Sequence, residues 1–334
     1  MLLSNIIPRR RPSETGWLRG SARLIYPHRN CFQRFVLMVK TETMSPRYRG
    51  LDSWSDADIL EAFWEGQARA IAAVRPALPA IAAAARAIAE RIEPGGRIVY
   101  AGAGSSGRQA ALDGMELGAT FGWPDERVVL ILAEGPLLEP GTAGRYEDNE
   151  ADGRRRILEL KLGASDVVIA VAASGATPFT RAVAAAAHTV GALVVAIANN
   201  PDAPLFRHAD HAILLETGAE IISGSTRMNA GTAHKAALGL LSSLAMTRLG
   251  HVHDGLMVSM RAENAKLRRR AAGIVSEISG CSRESAAKAL DTCGGRIKPA
   301  ALVVQGLDPA HADRILTEAG GNLRVALGRL SRSE

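Results

Sequence analysis

The chain has 334 residues, 47% of them hydrophobic and only 4% aromatic, and a formal net charge of +6. That length is enough for one large or two modest domains with a sizeable core. The charge is not a nucleic-acid footprint: residues 1–37 hold seven arginines and one acid, Glu14, while the remaining 297 residues hold 33 basic and 33 acidic side chains and are neutral.

Taken from the N-terminus, residues 1–37 are Arg-rich and acid-poor, and are expected to be a basic extension outside the core rather than a targeting peptide. Residues 38–94 form an N-terminal helical segment, with two helices between 56 and 93 broken near Pro76. Leu60, Phe63, Trp64 and Ala68 recur at helical spacing and give the first helix an apolar stripe. Short apolar runs at 98–101, 128–132, 167–172, 193–198 and 212–215 read as strands. Helical stretches separate the first four, as a doubly wound parallel five-stranded α/β sheet requires. A helix over 227–249, with Gly250 as a C-cap, closes a domain spanning 95–252. The remaining region, 253–334, reads as helical throughout. A helix over 261–278 carries the basic cluster Lys266, Arg268, Arg269 and Arg270, taken as a solvated face. Short helices follow at 282–292, 297–304, 309–318 and 322–329, with Ser282 and Asp308 as N-caps. No uninterrupted apolar run approaches about eighteen residues, so no membrane-spanning helix is expected. Cys31, Cys281 and Cys293 lack metal-ligand spacing and form no framework, which fits a reducing cytoplasm; neither metal nor cofactor is expected.

Chemistry concentrates where strands end. The first strand runs into a Gly/Ser-rich turn over 102–107, and a helix is expected from Arg108 onward. Strand, small-residue loop and helix make an anion-binding arrangement, because free backbone N–H groups and the helix N-terminus face the ligand. Gly102, Gly104 and Gly107 match a loose G-x-G-x-x-G pattern, which alone is weak. Ser105 and Ser106 at the tip suit a monophosphate ester, to which hydroxyls add donors. A second loop of the same kind, Ser174, Gly175, Ala176, Thr177 and Pro178, follows the strand at 167–172, with Pro178 suited to a first helical turn. Plain βα turns also favour Gly, Ser and Thr, so each loop alone has a bland reading. Two such loops at successive strand ends point to a ligand there, since open parallel sheets bind ligands at that edge.

These residues resemble the sugar isomerase (SIS) domain, which binds phosphosugars. Within it, GSSGR at 104–108, Leu112, Asp113 and Glu116, and the long segment GAEIISGSTRMNAGTAHK at 218–235 resemble the N-acetylmuramic acid 6-phosphate etherases. Thr41-Glu42 and Leu51-Asp52 also fall at that family's spacing, so the resemblance covers roughly 38–330. Two departures stand out: Ser45 replaces an Asn common in the family, and the loop over 133–146 matches poorly. Glu147, next to Asp148, is the best match to the family's second catalytic carboxylate, with Glu134 and Glu139 as competitors. The C-terminal helices resemble the family's small ubiquitin-associated-like appendage.

The resemblance implies cleavage of the D-lactyl ether of N-acetylmuramate 6-phosphate to N-acetylglucosamine 6-phosphate and D-lactate, by a carbon–oxygen lyase acting as a cytoplasmic homodimer in cell-wall amino sugar recycling. It implies Glu116 as the acid that protonates departing lactate and Glu147 as the base at C2. Substrate contacts fall to Ser105, Ser106, Gly107, Arg108, Ser174, Gly175, Thr177, Glu220, Ser225 and Arg227, with His234 and Lys235 next; Asp113 reads as a structural acceptor. A non-catalytic phosphosugar sensor and an aldose–ketose phosphosugar isomerase remain the other readings. No nucleic-acid or membrane partner is expected.

Overall fold

The computed structural model describes residues 40–92, 95–135 and 146–330. The expectation for residues 1–37, together with Glu139 and Cys31, lies outside them.

The chain opens with three short 3-10 turns, then α1 (Asp56–Ala72) and α2 (Leu78–Arg91), separated by the 3-10 turn that contains Pro76. β1 (Ile98–Gly102), α3 (Gly104–Phe121), β2 (Val128–Leu132), α4 (Glu150–Leu160), β3 (Val167–Val171), α5 (Pro178–Thr189), β4 (Leu193–Ala198) and β5 (His211–Leu214) follow. The sheet is parallel throughout, in the order β2-β1-β3-β4-β5. Its inner strands β1, β3 and β4 are short, apolar and buried on both faces, as helix-covered parallel strands must be, while the edge strands β2 and β5 are only partly buried. Period-two alternation divides the core. Tyr100, Ile169, Val195 and Ile213 face a layer of α2, α3 and α6 (Asn229–Arg248). Ala101, Val168, Ala170 and Val194 face α4 and α5, against Ile157, Phe179 and Val183.

At the edge opposite the strand C-termini, Asp166 ties β1 to β3. It accepts from the Arg97 backbone N–H (2.8 Å), from the Arg97 guanidinium (3.1 and 3.0 Å) and from Gly163 N–H (2.8 Å). Burial alone would raise this carboxyl, but the bonds from Arg97 and Gly163 outweigh it and hold it below the usual range.

Three features depart from the sequence expectations. First, α3 begins at Gly104 rather than near Arg108, so the Gly/Ser stretch is the helix's own first turn. Second, α1 packs through small residues. Ala62, Gly66 and Ala70 form its buried stripe, while Leu60 and Trp64 are 66% and 67% exposed and Ala68 is also exposed. A Cβ on Gly66 would meet Asn229 Oδ1 at 2.7 Å, so only a small-residue face lets the helix approach that closely. Third, the Ala-rich stretch 56–91 contains an 18-residue window with mean hydropathy 1.4, long and apolar enough to cross a membrane, although none was expected. Only a third of that window is buried; the 3-10 turn Arg75–Ala77 interrupts it, and α2 packs against the sheet.

After α6 comes a two-residue hairpin, β6 (Val252–His253) and β7 (Leu256–Met257), then α7 (Ala265–Ser279), α8 (Arg283–Thr292), α9 (Ile297–Val303), α10 (Pro309–Glu318) and α11 (Leu323–Leu330). These helices bury their own core, with Val275, Ala286, Leu302 and Leu323 at its centre. Ser282 and Asp308 cap α8 and α10 as expected, accepting from Ser285 N–H and His311 N–H.

Candidate active site

β1 and β3 run in register, with Gly102 beside Val171, so the two Gly/Ser loops leave the sheet at one level. Backbone contact holds the first loop in place. A Cβ on Gly102 would lie 2.8 Å from Gly107 Cα, and one on Gly107 would lie 2.8 Å from the Gly102 carbonyl carbon. Strand and helix start therefore touch main chain to main chain, which only glycine permits. Gly104 adopts a left-handed φ of 54° at the first position of α3. The second loop needs Gly175 at φ 67°, where a Cβ would strike Ala203 Cβ at 2.3 Å.

Side chains join the loops. The buried Ser106 hydroxyl accepts from Ala173 N–H across them at 3.3 Å. Ser174 Oγ accepts from Ala176 N–H at 3.1 Å, closing its own turn. Thr177 sits at the N-cap of α5 but makes no side-chain capping bond, with Pro178 next. Ser105, Arg108, Ser174 and Thr177 are half-buried, and Gly107 is buried beneath them. The second loop is also braced from below by residues that the sequence reading did not single out. Asn199 N–H and Asn200 Nδ2 both donate to the Ala173 carbonyl, at 2.9 Å each. Asn200 also reaches Thr41, which is fully buried. An Asn pair directly after a strand was the available signal.

Carboxylates gather where these helices begin. Glu134 Oε1 accepts from Gly104 N–H at 2.8 Å, so an anion already occupies the start of α3. The Glu147 carbonyl accepts from Phe179 N–H in the first turn of α5 at 2.9 Å. Its carboxylate reaches across to α3, where a Cβ on Gly104 would lie 2.8 Å from Oε1. Glu147 is thus held between the N-termini of α3 and α5.

Glu116 lies elsewhere. Because α3 starts at Gly104, Glu116 sits about 18 Å along the helix from that glycine. Its side chain is 60% exposed and faces Lys235 of α6, with Nζ 3.9 Å away. Beside it runs a groove of about 580 Å³, where Arg227, Lys235, Thr232 and Gln109 meet the apolar Ile71 and Leu240. Asp113, one turn before Glu116, is buried and accepts from Tyr100 Oη (2.8 Å) and Ser242 Oγ (3.1 Å). Burial pushes its carboxyl up, against the downward pull of those two hydroxyls.

The 218–235 segment divides into different tasks. Glu220, expected to contact substrate, is fully buried, and its two oxygens accept from Asn229 N–H (2.8 Å) and Ala230 N–H (2.9 Å). It completes the N-terminus of α6, where backbone donors would otherwise be unpaired. Ser225 is half-buried and Arg227 exposed. His234 is fully buried with neither ring nitrogen bonded, and burial lowers it to about 4, so it stands away from solvent while Lys235 faces out.

A family model of the SIS domain matches residues 155–242. An N-acetylmuramic acid 6-phosphate etherase of Deinococcus radiodurans is 44% identical over 290 residues, spanning 86% of this chain and 95% of the relative. The chain belongs to the N-acetylmuramic acid 6-phosphate etherase family. Members from Rubrobacter xylanophilus and Streptomyces coelicolor are 40% and 38% identical, over 86% and 90% of this chain and 95% and 97% of their own lengths. Among solved structures, a phosphoheptose isomerase from Francisella tularensis is 18% identical, covers 58% of this chain and all of its own, and superposes with a TM-score of 0.44. In this etherase-family chain Glu147 lies between two helix starts, whereas Glu116 lies on an exposed flank.

Proposed function

We propose that the protein cleaves the lactyl ether of N-acetylmuramate 6-phosphate by elimination and rehydration, releasing D-lactate and N-acetylglucosamine 6-phosphate. The observation that carries this reading is the position of Glu147, a carboxylate fixed between two helix starts of phosphate-binding form. Ser105, Ser106, Ser174 and Thr177, with the N–H groups of both loops, take the 6-phosphate. Binding of phosphate at α3 displaces Glu134 from Gly104 N–H, since two anions cannot share that donor. Glu134 is therefore a placeholder for the anion, and Glu147 the base.

In the open-chain sugar, C2 adjoins the aldehyde and its proton is removable. Glu147 takes that proton, the C2–H electron pair forms the C2–C3 double bond, and the C3–O bond breaks. Glu116 protonates the departing lactate oxygen, then deprotonates the water that adds at C3, while Glu147 returns its proton to C2. General acid and base catalysis of this kind contributes about 10²–10⁴-fold per group. Arg108, Ser225 and Arg227 are the remaining contacts, the arginines suiting the planar lactyl carboxylate.

Glu116 and Glu147 are too far apart along one chain to flank a single sugar. The protein is therefore a homodimer whose active site takes Glu147 from one copy and Glu116 from the other. Support comes from exposed apolar side chains on the same elements: Leu112 and Met115 beside Glu116 on α3, and Ile71 and Leu240 in the neighbouring groove. Reduced Cys281 and Cys293 favour a cytoplasmic setting. Incubation with N-acetylmuramate 6-phosphate and enzymatic assay of D-lactate tests the reading. Lactate release supports it; ketose phosphate without lactate would mean an isomerase, and binding without turnover a sensor.

A further inference from the structure

At the far end of α3, a cleft of about 940 Å³ separates the sheet domain from the C-terminal helices. Gly122 and His251 of the sheet domain line it, with Met260, Arg261, Arg296, Lys298 and Leu316 of the C-terminal region. Two of its cations are already committed. Arg261 pairs with Asp125 at 2.9 Å and donates to the Trp123 carbonyl at 2.8 Å. Arg296 binds both oxygens of Asp313, at 2.7 and 2.8 Å.

Lys298 is different. Its ammonium donates to the Gly321 carbonyl at 2.7 Å, and among the described residues it has no carboxylate partner. Burial lowers it to about 8. Close by, the Nδ1 of His251 is buried without a partner, while its ring also bonds the Phe121 backbone. Desolvation first, and then the Lys298 charge, keep this imidazole neutral, at about 4. The half-buried Lys298 ammonium has no counter-ion among the described residues, and the buried His251 Nδ1 has no donor, so the two groups are complementary to an anion and a hydroxyl. One ligand satisfies both if it carries an anionic group and a hydroxyl. The apolar Met260 and Leu316 suit its carbon skeleton.

We propose that this cleft is a second small-molecule site, distinct from the strand-end loops, for a hydroxylated organic anion, either a hydroxy-carboxylate or a hydroxylated phosphate monoester. Lys298 holds the anionic group and His251 Nδ1 accepts from the hydroxyl. The occupant bridges the sheet domain and the C-terminal helices, so it stabilises their junction. This inference does not depend on the etherase reading.

The test is thermal unfolding and titration calorimetry of the full chain with D-lactate, propionate, glycerol 3-phosphate and inorganic phosphate. D-lactate or glycerol 3-phosphate should raise Tm by about 2–4 °C near saturation. Propionate and inorganic phosphate, which lack the carbon-borne hydroxyl, should bind about tenfold more weakly, the worth of one buried hydrogen bond. Ser174→Ala, which weakens binding at the strand-end loops, should keep the cleft's share of the shift, and Lys298→Met added to Ser174→Ala should abolish that share. If Lys298→Met does not fold, His251→Phe, which keeps the Lys298–Gly321 bond, should show the tenfold loss for D-lactate. Protection that survives both cleft variants in the Ser174→Ala background, is lost in Ser174→Ala alone, or is absent with every probe would overturn the proposal; a purely structural Lys298 predicts no ligand dependence.

Discussion

The carboxylate of Glu147 and the α-carbon of Gly104 are packed so closely that a methyl group on the glycine would stand 2.8 Å from Oε1. Gly104 also holds a left-handed φ of 54°. The first glycine of α3 therefore does two things: it opens the helix, and it leaves room for the Glu147 carboxylate.

Gly104→Ala should accordingly lose turnover out of proportion to stability. The left-handed backbone costs about 1–2 kcal/mol, and displacement of the base by about 1 Å costs roughly 10²-fold in kcat. Steady-state kinetics beside thermal unfolding would check this. Near-normal kcat in a folded variant would mean that Glu147 is not where the chemistry occurs.

Mixed dimers test the sharing of carboxylates between copies. Glu116→Ala and Glu147→Ala homodimers should each be inactive. Unfolded and refolded together, they should regain activity, because a mixed dimer has one site with both carboxylates intact. If both groups served the same chain, every site in the mixture would lack one of them and no activity would return. A protein that runs as a monomer at assay concentration would also contradict the shared site.

Acid sensitivity follows from His234, which is fully buried and lowered to about 4 by desolvation. The unfolded chain binds this proton near pH 6.5 and the folded chain does not, so stability falls as pH drops from 6.5 toward 4. The loss reaches on the order of 3 kcal/mol at the lower end. Because His251 is lowered to about 4 as well, His234→Leu should remove about half of the total fall, as read by urea unfolding at each pH. An unchanged slope would place the sensitivity elsewhere.

The sheet was legible because its inner strands β1, β3 and β4 are continuous apolar runs that lead into Gly, Ser or Asn turns. The start of α3 was not, because Gly104, Ser105, Ser106 and Gly107 have poor helix propensity; tertiary contacts with Gly102 and the Glu134 carboxylate fix the turn instead. The stripe on α1 misled for a related reason. Leu60 and Trp64 mark a face left exposed in the single chain, while burial falls to Ala62, Gly66 and Ala70, whose smallness allows close packing. The β6–β7 hairpin had a signal that went unread: Asp254-Gly255, both at positive φ, is a tight-turn pair. At the site, the loops could be read from composition, whereas Glu134 on Gly104 and Glu220 under α6 could not. The Glu134 donor lies thirty residues back and the Glu220 donors nine and ten residues ahead, and no spacing rule announces either.

Exchange of the sugar's C2 proton with solvent deuterium separates the two catalytic roles most directly. Substrate incubated in heavy water with Glu116→Ala should gain deuterium at C2 without releasing lactate, because the enolate forms but cannot expel an unprotonated alkoxide. Glu147→Ala should do neither, and in both variants substrate affinity should change little, so the loss appears in kcat. Exchange by Glu147→Ala but not by Glu116→Ala would reverse the roles, and near-normal lactate release by either variant would contradict the account.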